Sequence, residues 1–105
     1  MYSLIFSLAT GHSTAVYYAE LLRRTDGLIW DDVAGALAAA PVYANTALTV
    51  TEINGTGHYG WTMPDDLPVG FYRVSLRQQA GVSPAATDNV VDTKDFQYSG
   101  SADVL

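Results

Sequence analysis

Large apolar side chains recur at every second position in several short segments, as at Leu4 and Phe6 and again at Tyr72, Val74 and Leu76. A period of two is typical of a β-strand with one buried face. About seven such segments follow at spacings of roughly ten residues, separated by turns rich in Gly, Pro and Asn. We therefore predict an all-β fold, an antiparallel sandwich of two sheets and about seven strands. The predicted core contains Leu4, Phe6, Val50, Tyr72, Val74 and Leu76.

Turn residues predict how the strands of the first half connect. The run at 10–14 separates a strand at 2–8 from a strand at 16–22, so we expect these two strands to pair as a hairpin. Thr25-Asp26-Gly27 is the next turn, because Asp-Gly supplies the positive φ that tight hairpins need. A short third strand follows at 28–30.

The stretch from Asp31 to Ala40 permits two interpretations. Asp32 is a suitable N-cap for a short Ala-rich helix that Pro41 would close. The alternative is a hairpin turn over 31–35 followed by a short edge strand over 36–38, and Gly35 weakens the helix.

The second half of the chain repeats the strand and turn pattern. Asn54-Gly55-Thr56-Gly57 predicts a hairpin between a strand at 47–51 and a strand with Tyr59, Trp61 and Met63 on one face. Pro64 and Pro68 cannot donate to a ladder, so the chain turns there. A strand at 71–77, a loop at 80–86 and a final strand at 89–98 complete the predicted order.

Length and composition suit one folded domain. The chain has 105 residues, of which 49% are hydrophobic and 15% charged, so a packed core is expected. We predict a single domain over 1–98 and a weakly structured tail over 99–105. No apolar run reaches the roughly 18 residues of a membrane helix. The apolar start lacks the positive charge of a signal peptide, so we interpret it as the first strand.

The formal net charge is −6, which bears on possible partners, and the chain has no cysteine, which bears on stability. Binding to a phosphate backbone depends on clustered Lys and Arg, so we predict no direct contact with nucleic acid. Without cysteine, stability has to come from packing, with neither disulfides nor thiolate metal sites.

Candidate catalytic and metal-binding residues lack the spacing that such chemistry needs. His12 and His58 lie beside turn glycines, and no nucleophile motif accompanies them. Asp88, Asp92 and Asp95 offer oxygen ligands for Ca²⁺, but without the alternating pattern of a dedicated loop. We predict no enzymatic activity, no cofactor and no metal site.

Three aromatic residues suggest an alternative function, the binding of a carbohydrate or receptor. Trp30, Tyr59 and Trp61 would form a platform for sugar rings if they were exposed. Alternate aromatics on a strand are more often core residues, and we expect that here. Whether the three side chains are buried therefore discriminates between a carbohydrate- or receptor-binding module and a different function.

The segment Leu67-Pro68-Val69-Gly70-Phe71-Tyr72-Arg73-Val74 resembles the pattern that opens a late strand in many prealbumin-like and immunoglobulin-like sandwiches. Gly70 permits a sharp entry, and Tyr72 buries its ring while its hydroxyl reaches local backbone. A larger set of segments resembles small β-sandwich virion structural proteins of tailed bacteriophages and prophages. These segments are Glu20 to Trp30, Gly57 to Trp61, Pro64, Leu67 to Tyr72 and Gln79 to Asp88.

This resemblance implies an immunoglobulin-like or prealbumin-like fold and favours the hairpin around Gly35. It also implies a non-enzymatic virion structural protein, either a capsid decoration or cement protein or a head–tail or tail accessory. The implied partners are other virion proteins, namely capsid, neck or tail subunits, in many symmetric copies, without membrane contact. The chain is then expected in the virion, and in the host bacterial cytoplasm before assembly.

An assembly function directs attention to sheet edges and to two uncharged connections. The 31–46 connection and the 80–88 loop are rich in Ala and Pro and poor in charge, so a neighbouring subunit could cover them. The candidate partner-binding residues are Val33, Leu37, Pro41, Val42, Tyr43, Val82 and Pro84.

Overall fold

The computed structural model describes residues 4–7, 16–39, 41–53, 57–64 and 67–98 of the chain. Within these residues, nine strands form two antiparallel sheets. The strands are β1 (Leu4–Ser7), β2 (Tyr17–Arg23), β3 (Ile29–Asp31), β4 (Ala36–Ala38), β5 (Leu48–Thr49), β6 (Thr51–Glu52), β7 (His58–Trp61), β8 (Gly70–Gln78) and β9 (Asn89–Tyr98). A short 3₁₀ helix covers Tyr43–Thr46.

The smaller sheet has the order β1-β7-β6, and the larger has the order β4-β3-β2-β8-β9, with β5 paired to β2. Along β8 the inward side chains of Tyr72, Val74 and Leu76 are fully buried, whereas Arg73 faces outward. This alternation gives the larger sheet one apolar face, which packs on the smaller sheet. The predicted all-β two-sheet sandwich is confirmed.

The predicted core residues lie where the sheets meet. Leu4, Phe6, Tyr72, Val74 and Leu76 are buried, and Val50 is partly buried against the same cluster. The Tyr72 hydroxyl donates to the backbone oxygen of Pro68 at 2.6 Å, as the sequence predicts. This bond closes the turn that leads into β8.

The hairpin interpretation of 31–38 is confirmed. The Asp31 carboxylate accepts the N–H groups of Val33 and Ala34, both at 3.0 Å. Gly35 has a φ of 66°, which glycine adopts without steric cost. The chain then returns as β4, which pairs with β3.

The predicted hairpin between the first two strands is wrong. β1 pairs with β7 in the smaller sheet, with Leu4 opposite Trp61, and not with β2. Both edges of β2 are occupied, one by β8 and the other by β3 and β5. No edge of β2 therefore remains for β1.

The predicted strand at 47–51 divides into two. β5 pairs with β2 in the larger sheet, and β6 pairs with β7 in the smaller sheet. Val50 is the only residue between them, so the chain changes sheets there. The β6–β7 pairing confirms the predicted second hairpin. The hairpin tip at 54–56, the run at 10–14 and the tail at 99–105 lie outside the described residues.

Replacing the buried side chain of Val74 by a charged one should prevent folding. Val74→Asp places an unpaired carboxylate in the sheet interface, which costs roughly 4 kcal/mol or more and is comparable to the whole stability of a small domain. Val69→Asp is the matched control, because Val69 is exposed in the loop before β8. Circular dichroism should show β structure in the control only. A Val74→Asp protein that melts like the parent would contradict the core assignment.

Candidate functional site

The outer face of the larger sheet carries a buried polar network centred on Tyr18. The Tyr18 side chain leaves β2 on the face opposite Ala19 and Leu21, which belong to the core. Its hydroxyl donates to Asp88 Oδ2 at 2.7 Å. The same hydroxyl lies 3.2 Å from the Tyr43 hydroxyl and 3.2 Å from the Ala85 backbone oxygen. One side chain of the sheet thus connects the 3₁₀ helix and the 80–88 loop.

Asp88 holds the 80–88 loop closed. Its carboxylate accepts the N–H of Ala85 at 2.9 Å and the N–H of Ala80 at 3.1 Å, in addition to the Tyr18 hydroxyl. The Ala85 N–H, followed by the Tyr18 hydroxyl, lowers the pKa of the Asp88 carboxyl below its ordinary value. Burial raises the pKa of the Tyr18 hydroxyl, and its hydrogen bonds with Tyr43 and Asp88 raise it further. Tyr18 therefore stays neutral as the donor to an ionised Asp88.

Arg77 on β8 joins the same network from the neighbouring strand. Its guanidinium donates to the backbone oxygen of Asp88 at 3.0 Å and lies 3.5 Å from a Glu20 carboxylate oxygen. The guanidinium carbon also lies 5.9 Å from the centre of the Tyr43 ring. The side chains of Arg77 and Glu20 are only 16% and 10% exposed, so this ion pair is mostly shielded from water.

The turn over 31–35 is connected to this region by the backbone. The Asp32 N–H donates to the Asn45 backbone oxygen at 2.8 Å, next to the 3₁₀ helix. We call residues 31–35, 41–46 and 80–88 together the loop surface. Hydrogen bonds link all three segments to one another, directly or through β2 and β8.

The candidate partner-binding residues divide into two groups. Val33, Val42 and Val82 project from the loop surface and are 77%, 67% and 102% exposed. The others are partly buried: Leu37 packs against the core, and Tyr43 joins the Tyr18 network. Pro41 and Pro84 are also partly buried. Of these candidate residues, the three valines alone have largely exposed side chains.

The three aromatic residues of the carbohydrate alternative are buried. Trp30, Tyr59 and Trp61 all belong to the core cluster. Trp30 donates its ring N–H to Asp32 at 3.3 Å. The expected core position of these residues is confirmed, so they do not provide an exposed stacking platform.

A surface cleft of about 300 Å³ lies where the two sheets approach each other. Its walls carry Thr hydroxyls and one carboxylate and include no aromatic ring. The lining residues are Asp32, Leu48, Thr49, Thr51, Gly60, Thr62 and Pro64. A cleft of this kind offers hydrogen bonds but little apolar area to a ligand.

A serine and a histidine approach each other in a way that the sequence did not indicate. Ser7 Oγ lies 2.7 Å from His58 Nδ1 on the exposed face of the smaller sheet. The two residues are directly opposite in the β1–β7 pairing. Within the described part of the chain, no carboxylate bonds to the His58 ring, whereas an activated serine needs its base held by a third group. We interpret the contact as a cross-strand hydrogen bond.

The three aspartates considered as Ca²⁺ ligands have separate contacts. Asp88 bonds within its loop, Asp92 accepts the N–H of Thr93, and Asp95 pairs with Arg73. No group of three or more His, Cys, Asp or Glu side chains among the described residues could hold a metal ion. The same residues include no helix long and apolar enough to span a membrane.

Comparisons with known proteins give no match, whether with family models, with curated proteins or with solved structures. The resemblance to virion proteins therefore depends on the sequence segments named above.

Removing the Tyr18 hydroxyl should loosen the loop surface. Tyr18→Phe removes the hydroxyl that bonds to Asp88, Tyr43 and the Ala85 backbone oxygen, so we expect a loss of about 1–3 kcal/mol in the free energy of unfolding. Amide hydrogen exchange over 80–88 should also become faster. Tyr17→Phe is the matched control, because Tyr17 is the adjacent residue on β2 and packs its ring against Tyr59. Equal effects of the two substitutions would contradict the network.

The contribution of Asp88 should depend on pH. Its pKa in the folded state lies below that of the unfolded chain, so ionised Asp88 adds stability above about pH 4. This stability is lost as the pH falls through the folded-state pKa. In urea unfolding, Asp88→Asn should be less stable than the parent at pH 7, and the difference should shrink on acidification. A difference that is constant from neutral to acidic pH would show that the carboxylate charge is unimportant.

Proposed function

We propose that the chain is a non-enzymatic virion structural protein of a tailed bacteriophage or prophage. In this proposal it acts by protein–protein assembly, as a capsid decoration or cement protein or as a head–tail or tail accessory. The observation that carries the proposal is the loop surface, where Val33, Val42 and Val82 are exposed on segments held by a buried network. The resemblance described above adds the virion context.

A rigid loop surface suits the binding of another protein. Loops that are already ordered lose less conformational entropy on association than mobile loops do. Asp88 and Arg77 fix 80–88, and the bond from Asp32 to Asn45 ties the 31–35 turn to the 3₁₀ helix. The exposed valines add uncharged surface to a chain whose net charge is −6.

Repetition on a particle would strengthen a contact of modest area. A domain of this size can present only a small interface, and many symmetric copies raise the effective concentration of every contact. An isolated domain can therefore bind weakly while its particle-bound copies remain attached. In the proposal the partners are capsid, neck or tail subunits, and the chain assembles in the bacterial cytoplasm without direct contact to nucleic acid or membrane.

Burial of Trp30, Tyr59 and Trp61 favours assembly over the carbohydrate- or receptor-binding alternative. Sugar recognition through these rings would require them to leave the core. The polar cleft beside Asp32 is the remaining place where a glycan would be tested.

Mass spectrometry of particles purified from the encoding phage or induced prophage tests the proposal. We expect the chain to be present in many copies per particle. Its absence from the particles would overturn the proposal. Specific binding of the free domain on a glycan array, lost in Asp32→Ala, would favour the carbohydrate-binding alternative.

Charged substitutions should locate the contact. The double variant Val42→Asp with Val82→Asp should bind to particles that lack the protein at least roughly tenfold more weakly than the parent, because both changes put charge into an apolar contact. Val69→Asp is the control, since Val69 is exposed at the opposite end of β8 from the 80–88 loop. A double variant that binds like the parent would remove the loop surface from the contact.

A further inference from the structure

Strand β9 forms an open edge of the larger sheet. It is ten residues long and pairs with β8 in one regular register from Asp92 to Tyr98, and beyond a bulge at Val91 through Val90 and Asn89. Within the part of the chain that the structure describes, no strand pairs with its other side. Val90 and Val91 are exposed near its start. An edge of this length presents a row of backbone groups to any complementary strand.

The hydrogen-bond pattern identifies the outward backbone groups. The Arg24 N–H bonds to the Phe71 oxygen. The backbone N–H and C=O groups of the odd-numbered residues of β8 therefore point toward β2. The backbone groups of the even-numbered Tyr72 and Val74 then point toward β9, where these residues lie opposite Phe96 and Lys94. The outward groups of β9 accordingly belong to Thr93, Asp95 and Gln97. The Thr93 N–H indeed turns away from β8 and bonds to Asp92 Oδ1 at 2.8 Å.

The charged side chains on and beside β9 differ in whether they have a partner of opposite charge. Lys94 is the only lysine of the chain and is exposed. The four arginines each pair with a carboxylate, for example Arg73 with Asp95. Among the described residues Lys94 has no carboxylate partner. Asp92 lies two residues away on the same face of the strand, and within the described ranges it bonds only to the neighbouring Thr93 N–H.

We propose that β9 pairs with β9 of a second copy of this chain, antiparallel and about a two-fold axis at Thr93. In that register Asp92 of each copy lies opposite Lys94 of the other, which forms two cross-strand ion pairs. The backbone N–H of each Thr93 donates to the backbone oxygen of the other Thr93. Asp92 gives up its bond to the Thr93 N–H of its own strand and pairs instead with Lys94 of the second copy.

The charges select this register over its neighbours. In an antiparallel pair, residues directly opposite each other project from the same face of the sheet. A two-fold axis perpendicular to the sheet meets this condition only when it lies midway between the two copies of one residue. An axis at Asp92, Lys94 or Asp95 would set that residue against its own copy, and like charges directly opposite are destabilising. Only the axis at Thr93 sets Asp92 against Lys94. Lysine on an edge strand generally discourages pairing, and here it restricts pairing to one register.

This contact is separate from the loop surface, so it can be tested whether or not the chain is a virion component. Sedimentation equilibrium of the full chain at low salt should show a dimer that weakens as salt is added. Lys94→Asp and Asp92→Lys should each raise the dimer dissociation constant at least about tenfold, because each replaces two ion pairs by two like-charge pairs. Val82→Asp is the control and should leave the dimer unchanged.

Charge exchange gives the decisive comparison. An equimolar mixture of Lys94→Asp and Asp92→Lys should recover dimer, because every opposed pair in the mixed species is again of opposite sign. The double variant carrying both changes should dimerise on its own. Circular dichroism checks that each variant is folded. A parent protein that is monomeric at several hundred micromolar, or single variants that dimerise as well as the parent, would overturn the proposal, as would failure of the mixture to recover dimer.

Discussion

The position of β8 between β2 and β9 is the constraint on which the rest of the structure depends. Because β8 is hydrogen-bonded on both sides, its backbone groups are satisfied and its side chains are free to divide between two faces. The inward face supplies the buried Val74 and its neighbours to the core. The outward face supplies Arg77, which holds the 80–88 loop, and Arg73, which pairs with Asp95 on β9. Core, loop surface and edge strand are therefore all arranged by the alternation of one strand.

Much of the fold follows from the two-residue period, but the pairing of strands does not follow from it completely. The period states which side chains are buried, so it predicted the inward residues of β8, the extent of β9 and the core position of Trp61. It does not state which strand edges are already occupied. The pairing of β1 with β7 depends on β3, β5 and β8 filling both edges of β2, which is a property of the whole sheet. The division of the 47–51 strand likewise depends on two sheets competing for one segment.

The Tyr18 network was harder to predict because its members are distant in sequence. Tyr18 and Asp88 are separated by 70 residues, and Tyr18 and Tyr43 by 25. Asp88 was weighed as a metal ligand, whereas its carboxylate closes a loop. One signal was present: Tyr18 and Glu20 alternate with Ala19 and Leu21, so a strand that is apolar on one face places polar groups on the other. Buried polar groups of this kind require partners from elsewhere in the chain.

The change of sheet at Val50 has a mechanical consequence. β5 and β6 are separated by this single residue, yet each is hydrogen-bonded to a different layer. Sliding one layer past the other by a single residue, about 3.3 Å, would have to break the β5 pairing or the β6 pairing. The link therefore resists shear as a short tether, and a load on one layer passes to the other through covalent backbone as well as through side-chain packing. A thin sandwich of this kind can carry force across its layers without a disulfide.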